Sequence, residues 1–283
     1  MVVRVGTVAT IESAPLQLAL NRDEFSNNGV AVRPVPIVSG RTAVTGVING
    51  SIDVGYAPAT DVIQAFGSGL DLRILLAGPR SAEPGHVALV SREPGATSLT
   101  RLPPGTIAVP AQSVLSELAL RIQAAEADMA PNHFEFLALT PAESLEALAN
   151  EQLVGAVVDE PYLRAAVHDG AAVLGRPLRE LGLDLQLGYW FTSVDALRNK
   201  RQAINRTAQV LREVNADADD FTGSISTIAI EEAGLSETGT PKNLVQPLWD
   251  PTPDPTSLEQ TAQLLNSYGL IPAIPDLDQL TNG

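Results

Sequence analysis

The residues best placed to do chemistry are small hydroxyls and a few charges that follow short apolar runs. They are Thr10 and Ser13, Ser39-Gly40-Arg41, Ala57-Pro58-Ala59-Thr60, Gln112-Ser113, Thr140, and Asp159-Glu160 with Tyr162. Where such a run is a strand and the next segment a helix, these positions present free backbone amides and partial positive charge. That environment suits anions and polar head groups. Arg41 can clamp a carboxylate, sulfonate or phosphate there, and a solvated surface Arg fits equally well. Asp159 and Glu160 are adjacent, so on an extended segment they point opposite ways and form no obvious acid–base pair. One of them facing a ligand would favour a donor or a cation, the opposite of Arg41. Tyr189-Trp190 are adjacent aromatics in a chain with 4% aromatic residues. They suit a wall that stacks on a planar ligand, or a buried strand. Taken singly, Ser39, Ser113 and Thr140 are as consistent with helix N-caps as with ligand donors.

Other chemistries find no support. His86, His133 and His168 have no second His or carboxylate at ligand spacing, so no metal site is expected. With no Cys, the chain has no disulfide and no thiolate nucleophile. There is no phosphate-binding glycine loop, no dinucleotide fingerprint after a strand and no nucleophile elbow. No catalytic residue and no cofactor is therefore expected. A net charge of −15 argues against nucleic acid or an anionic membrane surface as partner. No stretch approaches the roughly 18 apolar residues of a membrane span.

The elements that must position these loops alternate. Val2–Val8 reads as a strand, Ile11 to about Phe25 as a helix with Ser13 as cap and Pro15 in its first turn, and Val30–Val38 as a strand. A short helix from Ser39 closes at Asn49-Gly50, and Ile52–Tyr56 is an uninterrupted buried strand. Then follow a helix Pro58–Phe66 and strands Asp71–Leu76 and His86–Ser91. The pattern Ser39–Thr60 recurs 101 residues later as Thr140–Pro161, and the flanking strands recur with it. From Ser193 the chain is mostly helical. Alternation at short spacing predicts an α/β fold with parallel sheets. The repeat predicts two lobes, residues 1–80 plus 191–283 and an inserted 81–190, whose polar loops face one ligand cleft. Gly78–Gly85 and Leu187–Thr192 are the expected crossovers.

Val5-Gly-Thr, Ser39-Gly-Arg, Asn49-Gly-Ser-Ile-Asp-Val-Gly-Tyr-Ala-Pro, Gly105-Thr-Ile-Ala-Val-Pro and Val157-Val-Asp-Glu-Pro-Tyr162 carry a resemblance. Over roughly residues 2–215 the chain resembles the solute-binding proteins of ABC importers, in the NMT1/THI5-like (nitrate/sulfonate/taurine and thiamine-precursor) branch. The resemblance implies a type II periplasmic-binding-protein-like fold: two α/β lobes with parallel-rich sheets flanked by helices, joined by two crossover strands. It implies a non-enzymatic monomer that closes on a small-molecule solute and delivers it to ABC permease transmembrane subunits. Sulfonates, pyrimidines and aromatic acids are the implied solute classes. The cleft positions it implies are Thr10 and its neighbours, Ser39–Arg41, Ala57–Thr60, Gln112–Ser113, Asp159–Glu160 and Tyr189. The loop Ala9-Thr-Ile-Glu-Ser-Ala and Pro110-Ala-Gln depart from the pattern of many members. Two alternatives stay open: an enzyme on the same fold with Asp159 or Glu160 as acid–base groups, and a ligand-sensing domain of a larger regulator. Met1 leads almost directly into a strand, with no basic segment or apolar h-region. The chain is thus either cytoplasmic or, as the resemblance implies, extracytoplasmic with its export signal outside this sequence.

Overall fold

A computed structural model describes residues 2–81, 85–110, 114–181, 185–235 and 243–281. Gln112 and Ser113 lie outside the described residues. The chain divides into two compact units: Met1–Ser81, Asp184–Ile228 and Pro247–Gly283 form unit 1, and Ala82–Leu183 with Ala229–Gln246 form unit 2.

The sheet of unit 1 contains β1 (Val2–Thr7), β2 (Ala31–Pro36), β3 (Val54–Pro58), β4 (Leu72–Ala77) and β10 (Gly188–Ser193), in the order β2-β1-β3-β10-β4. Strand β1 runs parallel to β2 and β3, with Val5 opposite Val54. Strand β10 is antiparallel to both its neighbours, with Gly188 opposite Pro58. The carboxyl ends of β1, β2 and β3 therefore emerge at one edge, beside the amino end of β10. Apolar residues run without a break through β3 and β10 because helices cover the sheet. Val3, Val5, Val54, Tyr56, Leu76 and Trp190 pack there against Leu16, Phe25, Leu197, Ile204 and Leu211.

A buried ion cluster closes the other end of this sheet. Asp53, just before β3, takes Arg4 Nη2 at 2.9 Å, Arg4 Nε at 3.1 Å and the Arg4 amide at 2.9 Å. Lys200 Nζ adds bonds of 2.9 Å to both carboxylate oxygens. Lys200 leaves helical geometry inside Val194–Ala216 (φ −136°), and the helix kinks at that residue. Burial pushes the Asp53 carboxyl up, but Arg4 and Lys200 outweigh it and hold the group below its usual range.

The sheet of unit 2 contains β5 (Val87–Ser91), β6 (Gly105–Pro110), β7 (Phe134–Leu139), β8 (Gly155–Asp159) and β9 (Ala172–Gly175), in the order β7-β6-β8-β5-β9. Strand β5 is the antiparallel one here. The two orders correspond strand for strand. Helix Gly40–Ile48 and β3 recur 101 residues later as helix Pro141–Ala149 and β8. Thr140 opens its helix with a full capping box to Glu143.

Several expectations are corrected. The sheets are mixed, because β10 in unit 1 and β5 in unit 2 run antiparallel to both their neighbours. The first helix ends at Asn21; Asp23 is left-handed (φ 57°) and a separate turn Glu24–Asn27 follows. The sequence reading did not anticipate β9. All of β10 belongs to unit 1, although the expected boundary cut it at residue 190. Residues 229–246, expected in the first lobe, cluster with unit 2, since Ala233 and Leu235 pack on its core and Val245 bonds to Glu160.

Candidate functional site

The three loops leaving β1, β2 and β3 form the candidate site of unit 1. In the first, Ser13 Oγ donates to the Val8 carbonyl and, at 3.2 Å, to that of Thr10. Ser13 is thus occupied in closing its own loop and gives no cap to the helix behind it. Thr10 Oγ1 is shielded from solvent and has no hydrogen-bond partner among the described residues. Glu12, beside it, accepts a 2.6 Å bond from the Tyr56 hydroxyl.

In the second loop Ser39 caps helix Gly40–Ile48, accepting from the Thr42 amide at 3.2 Å. Arg41 extends into solvent, its side chain 75% exposed. In the third, Pro58 ends β3 and helix Ala59–Gly67 begins; the Ala59 amide is taken by the Leu187 carbonyl at 2.9 Å. Ala57 and Ala59 are buried, and so is Thr60, whose Oγ1 has no partner among the described residues.

The next residue, Asp61, was missed by the sequence reading. It sits in the first turn of helix Ala59–Gly67, where a carboxylate is favoured by the helix dipole. It is nevertheless only 5% exposed, and its Oδ2 has no partner among the described residues. Among the described residues its counter-charge is Arg41, whose Nε lies 4.0 Å from Oδ1, beyond hydrogen-bond reach. Burial pushes the Asp61 carboxyl up to about 6, against the opposing pull of Arg41. A rise from 3.8 to about 6 costs the folded state about 3 kcal/mol at neutral pH. The carboxylate occupies the place where a Gly40 Cβ would stand, next to Pro58 Cδ and Ala57 Cβ. The local signal was present: an acid two residues after Ala59 opens a helix. Its burial against position 40, 21 residues away, was not visible.

In unit 2 the matching loops behave differently. Asp159 ends β8 half-buried, opposite Val87. Glu160 is fully buried, and both its oxygens are engaged: Oε2 by the Arg164 amide at 3.1 Å, Oε1 by the Val245 amide at 3.2 Å. Burial raises its carboxyl, opposed by the Val245 bond and the charge of Arg164. Tyr162 is buried, and its hydroxyl donates to the Ala233 carbonyl at 3.4 Å. Glu160 and Tyr162 thus bind Val245 and Ala233 to the rest of unit 2.

Tyr189 and Trp190 do not wall an open surface within unit 1. Trp190 is completely buried in the core, 5.1 Å from the Tyr56 ring. The buried Tyr189 hydroxyl donates to Gln186 Oε1 at 3.3 Å. Gln186 in turn holds Thr252, Asp254 and Ser257. Their strand lies between two others under helices, so both faces are covered, and the adjacent aromatics serve packing.

Solved structures share this fold. The ligand-binding component of an ABC-type import system from Staphylococcus aureus matches with a TM-score of 0.83 at 16% identity, covering 100% of this chain and 96% of its own. The periplasmic nitrate-binding protein NrtA from Synechocystis gives 0.78 at 14% identity, over 99% and 86%. The periplasmic aliphatic sulphonate binding protein SsuA from Escherichia coli gives 0.73 at 18% identity, over 99% and 97%. At these identities the likeness shows the fold alone. No curated protein matches the sequence. The model of the NMT1-like family matches residues 1–181, more than half of the chain, and the protein therefore belongs to that family.

Proposed function

We propose that this chain is a solute-binding receptor of an ABC importer, acting outside the cytoplasm and handing a small polar molecule to the permease. The observation that carries this reading is the set of buried oxygens on Thr10, Thr60 and Asp61 that have no partner among the described residues, in segments that follow two adjacent parallel strands. In an α/β unit the carboxyl ends of the parallel strands are where ligands bind. Polar atoms stripped of water and left without partners are costly unless something supplies those partners. Family membership and the names of the structural neighbours point the same way.

The binding set within unit 1 is Thr10, Ser39–Arg41, Ala57–Thr60 and Asp61; Asp159, the counterpart of Pro58 under the 101-residue repeat, ends the corresponding strand β8 of unit 2. The alternative of an enzyme working through Asp159 and Glu160 has less support, because both Glu160 oxygens already accept backbone amides.

Thermal unfolding against a panel of sulfonates, nitrate, pyrimidines, aromatic acids and amines tests the receptor reading. A solute present at 100 times its dissociation constant stabilises the native state by about 2.7 kcal/mol. A panel in which no compound raises the melting temperature contradicts it.

A further inference from the structure

Unit 1 contains two aspartates buried to nearly the same degree, and they are treated in opposite ways. Asp53, 3% exposed, receives three hydrogen bonds from Arg4 and two from Lys200. Asp61, 5% exposed, receives none among the described residues, and Arg41 stands 4.0 Å away with its side chain mostly in solvent. A fold able to satisfy one buried carboxylate so fully leaves the other without a hydrogen-bond partner among the described residues, in the first turn of the helix that follows β3, at the end of the sheet where ligands bind in α/β units. At pH 7 Asp61, with its pKa near 6, is predominantly ionised, so its unmet need is for a donor. The Thr60 hydroxyl beside it in sequence, and Thr10 on the loop from the adjacent strand β1, also have no partner among the described residues, and each can accept as well as donate. A bare anion would meet a desolvated negative group here. A nitrogen bearing hydrogens would supply the donor that the Asp61 carboxylate lacks.

We propose that Asp61 is the specificity-determining residue of this site, selecting solutes that present an amine or amidine nitrogen to its buried carboxylate. The inference rests on the receptor reading above. Asp61 takes the donor, the Thr10 and Thr60 hydroxyls are free to bond other polar atoms of the solute, and Arg41, 4.0 Å from Asp61, interacts with any acidic group the solute carries. A site built to hydrogen-bond an N–H group rejects analogues lacking it, because its own polar groups are then left unpaired.

The test is calorimetric titration at pH 7 with matched probes: benzamidine against benzoate and benzenesulfonate, propylamine against propanesulfonate, and sodium nitrate. The expected result is that the nitrogen-bearing member of each pair binds at least tenfold more tightly. The isosteric D61N variant, and D61S as a second variant checked for folding by circular dichroism, should each weaken that probe at least tenfold. T60V should weaken it by a smaller factor. A folded D61N that binds the nitrogen probes within twofold of the wild type overturns the inference. So does preferential binding of the donor-free anions, and that result leaves the receptor reading standing. Binding of no probe at all overturns both.

Discussion

The carboxylate of Asp61 fills the space that any side chain at position 40 would need, so Gly40 and Asp61 form one steric unit. A Cβ at Gly40 would stand 2.6 Å from Pro58 Cδ and 3.1 Å from Ala57 Cβ, besides overlapping the carboxylate. These are backbone-anchored neighbours with little room to move. Gly40→Ala is expected to destabilise the protein by about 1–3 kcal/mol through overpacking. Combining it with Asp61→Ala should recover part of the loss, because the two residues share one space. Additive melting temperatures across that double-mutant cycle would contradict the coupling.

Asp61→Asn should stabilise the unliganded protein at neutral pH by about 1–3 kcal/mol, because the amide avoids the desolvation penalty of a buried charge. The sign follows from the raised folded pKa. Below about pH 4 Asp61 is protonated in both states and carries no penalty. The cost to the wild type grows as pH rises from about 4 to about 6 and is complete above that. Melting curves of the two proteins should converge at pH 4 and separate by pH 7.

Asp53 behaves with the opposite sign. Its folded pKa lies below its unfolded value, so its contribution is present above about pH 4 and lost as pH falls through the lowered folded value. Asp53→Ala leaves Arg4 and Lys200 facing each other without a counter-charge, at a cost of about 3 kcal/mol. Denaturant unfolding of wild type and variant at pH 7 and pH 3 measures both. A stability gap that does not shrink at pH 3 would speak against this account.

Glu160 is expected to act as a tether. Glu160→Ala removes the acceptors of the Arg164 and Val245 amides, and hydrogen exchange at those two amides should accelerate by at least tenfold. The same substitution should lower stability by about 2 kcal/mol, from the lost bonds and the cavity left behind. Unchanged exchange at Val245 would show that the segment is held by other contacts.

Much of this architecture was legible in one dimension. Apolar patterning located eight of the ten strands among the described residues and left β10 open between a cleft wall and a buried strand, because burial of a sheet face is written locally in residue type. The repeat of helix Gly40–Ile48 and β3 was visible as pattern, and the strand orders of the two sheets realise it. The capping role of Thr140 was also readable, since a capping box spans only three residues. The short β9 escaped, being four residues long with two of them exposed.

The sequence by itself determined the family, the alternation of elements and which loops follow which strands, all of which depend on neighbours in the chain. Only the tertiary structure decided what those residues do. It took Tyr189 and Trp190 into the core, engaged both oxygens of Glu160 with backbone amides, and gave residues 229–246 to unit 2. It also singled out Asp61, an ordinary first-turn acid by sequence, as a buried carboxylate without a partner among the described residues. The reason is physical. Desolvation and hydrogen-bond satisfaction are set by atoms brought together from distant positions: Gly40 against Asp61, Glu160 against Val245, Asp53 against Lys200. No local pattern encodes those meetings.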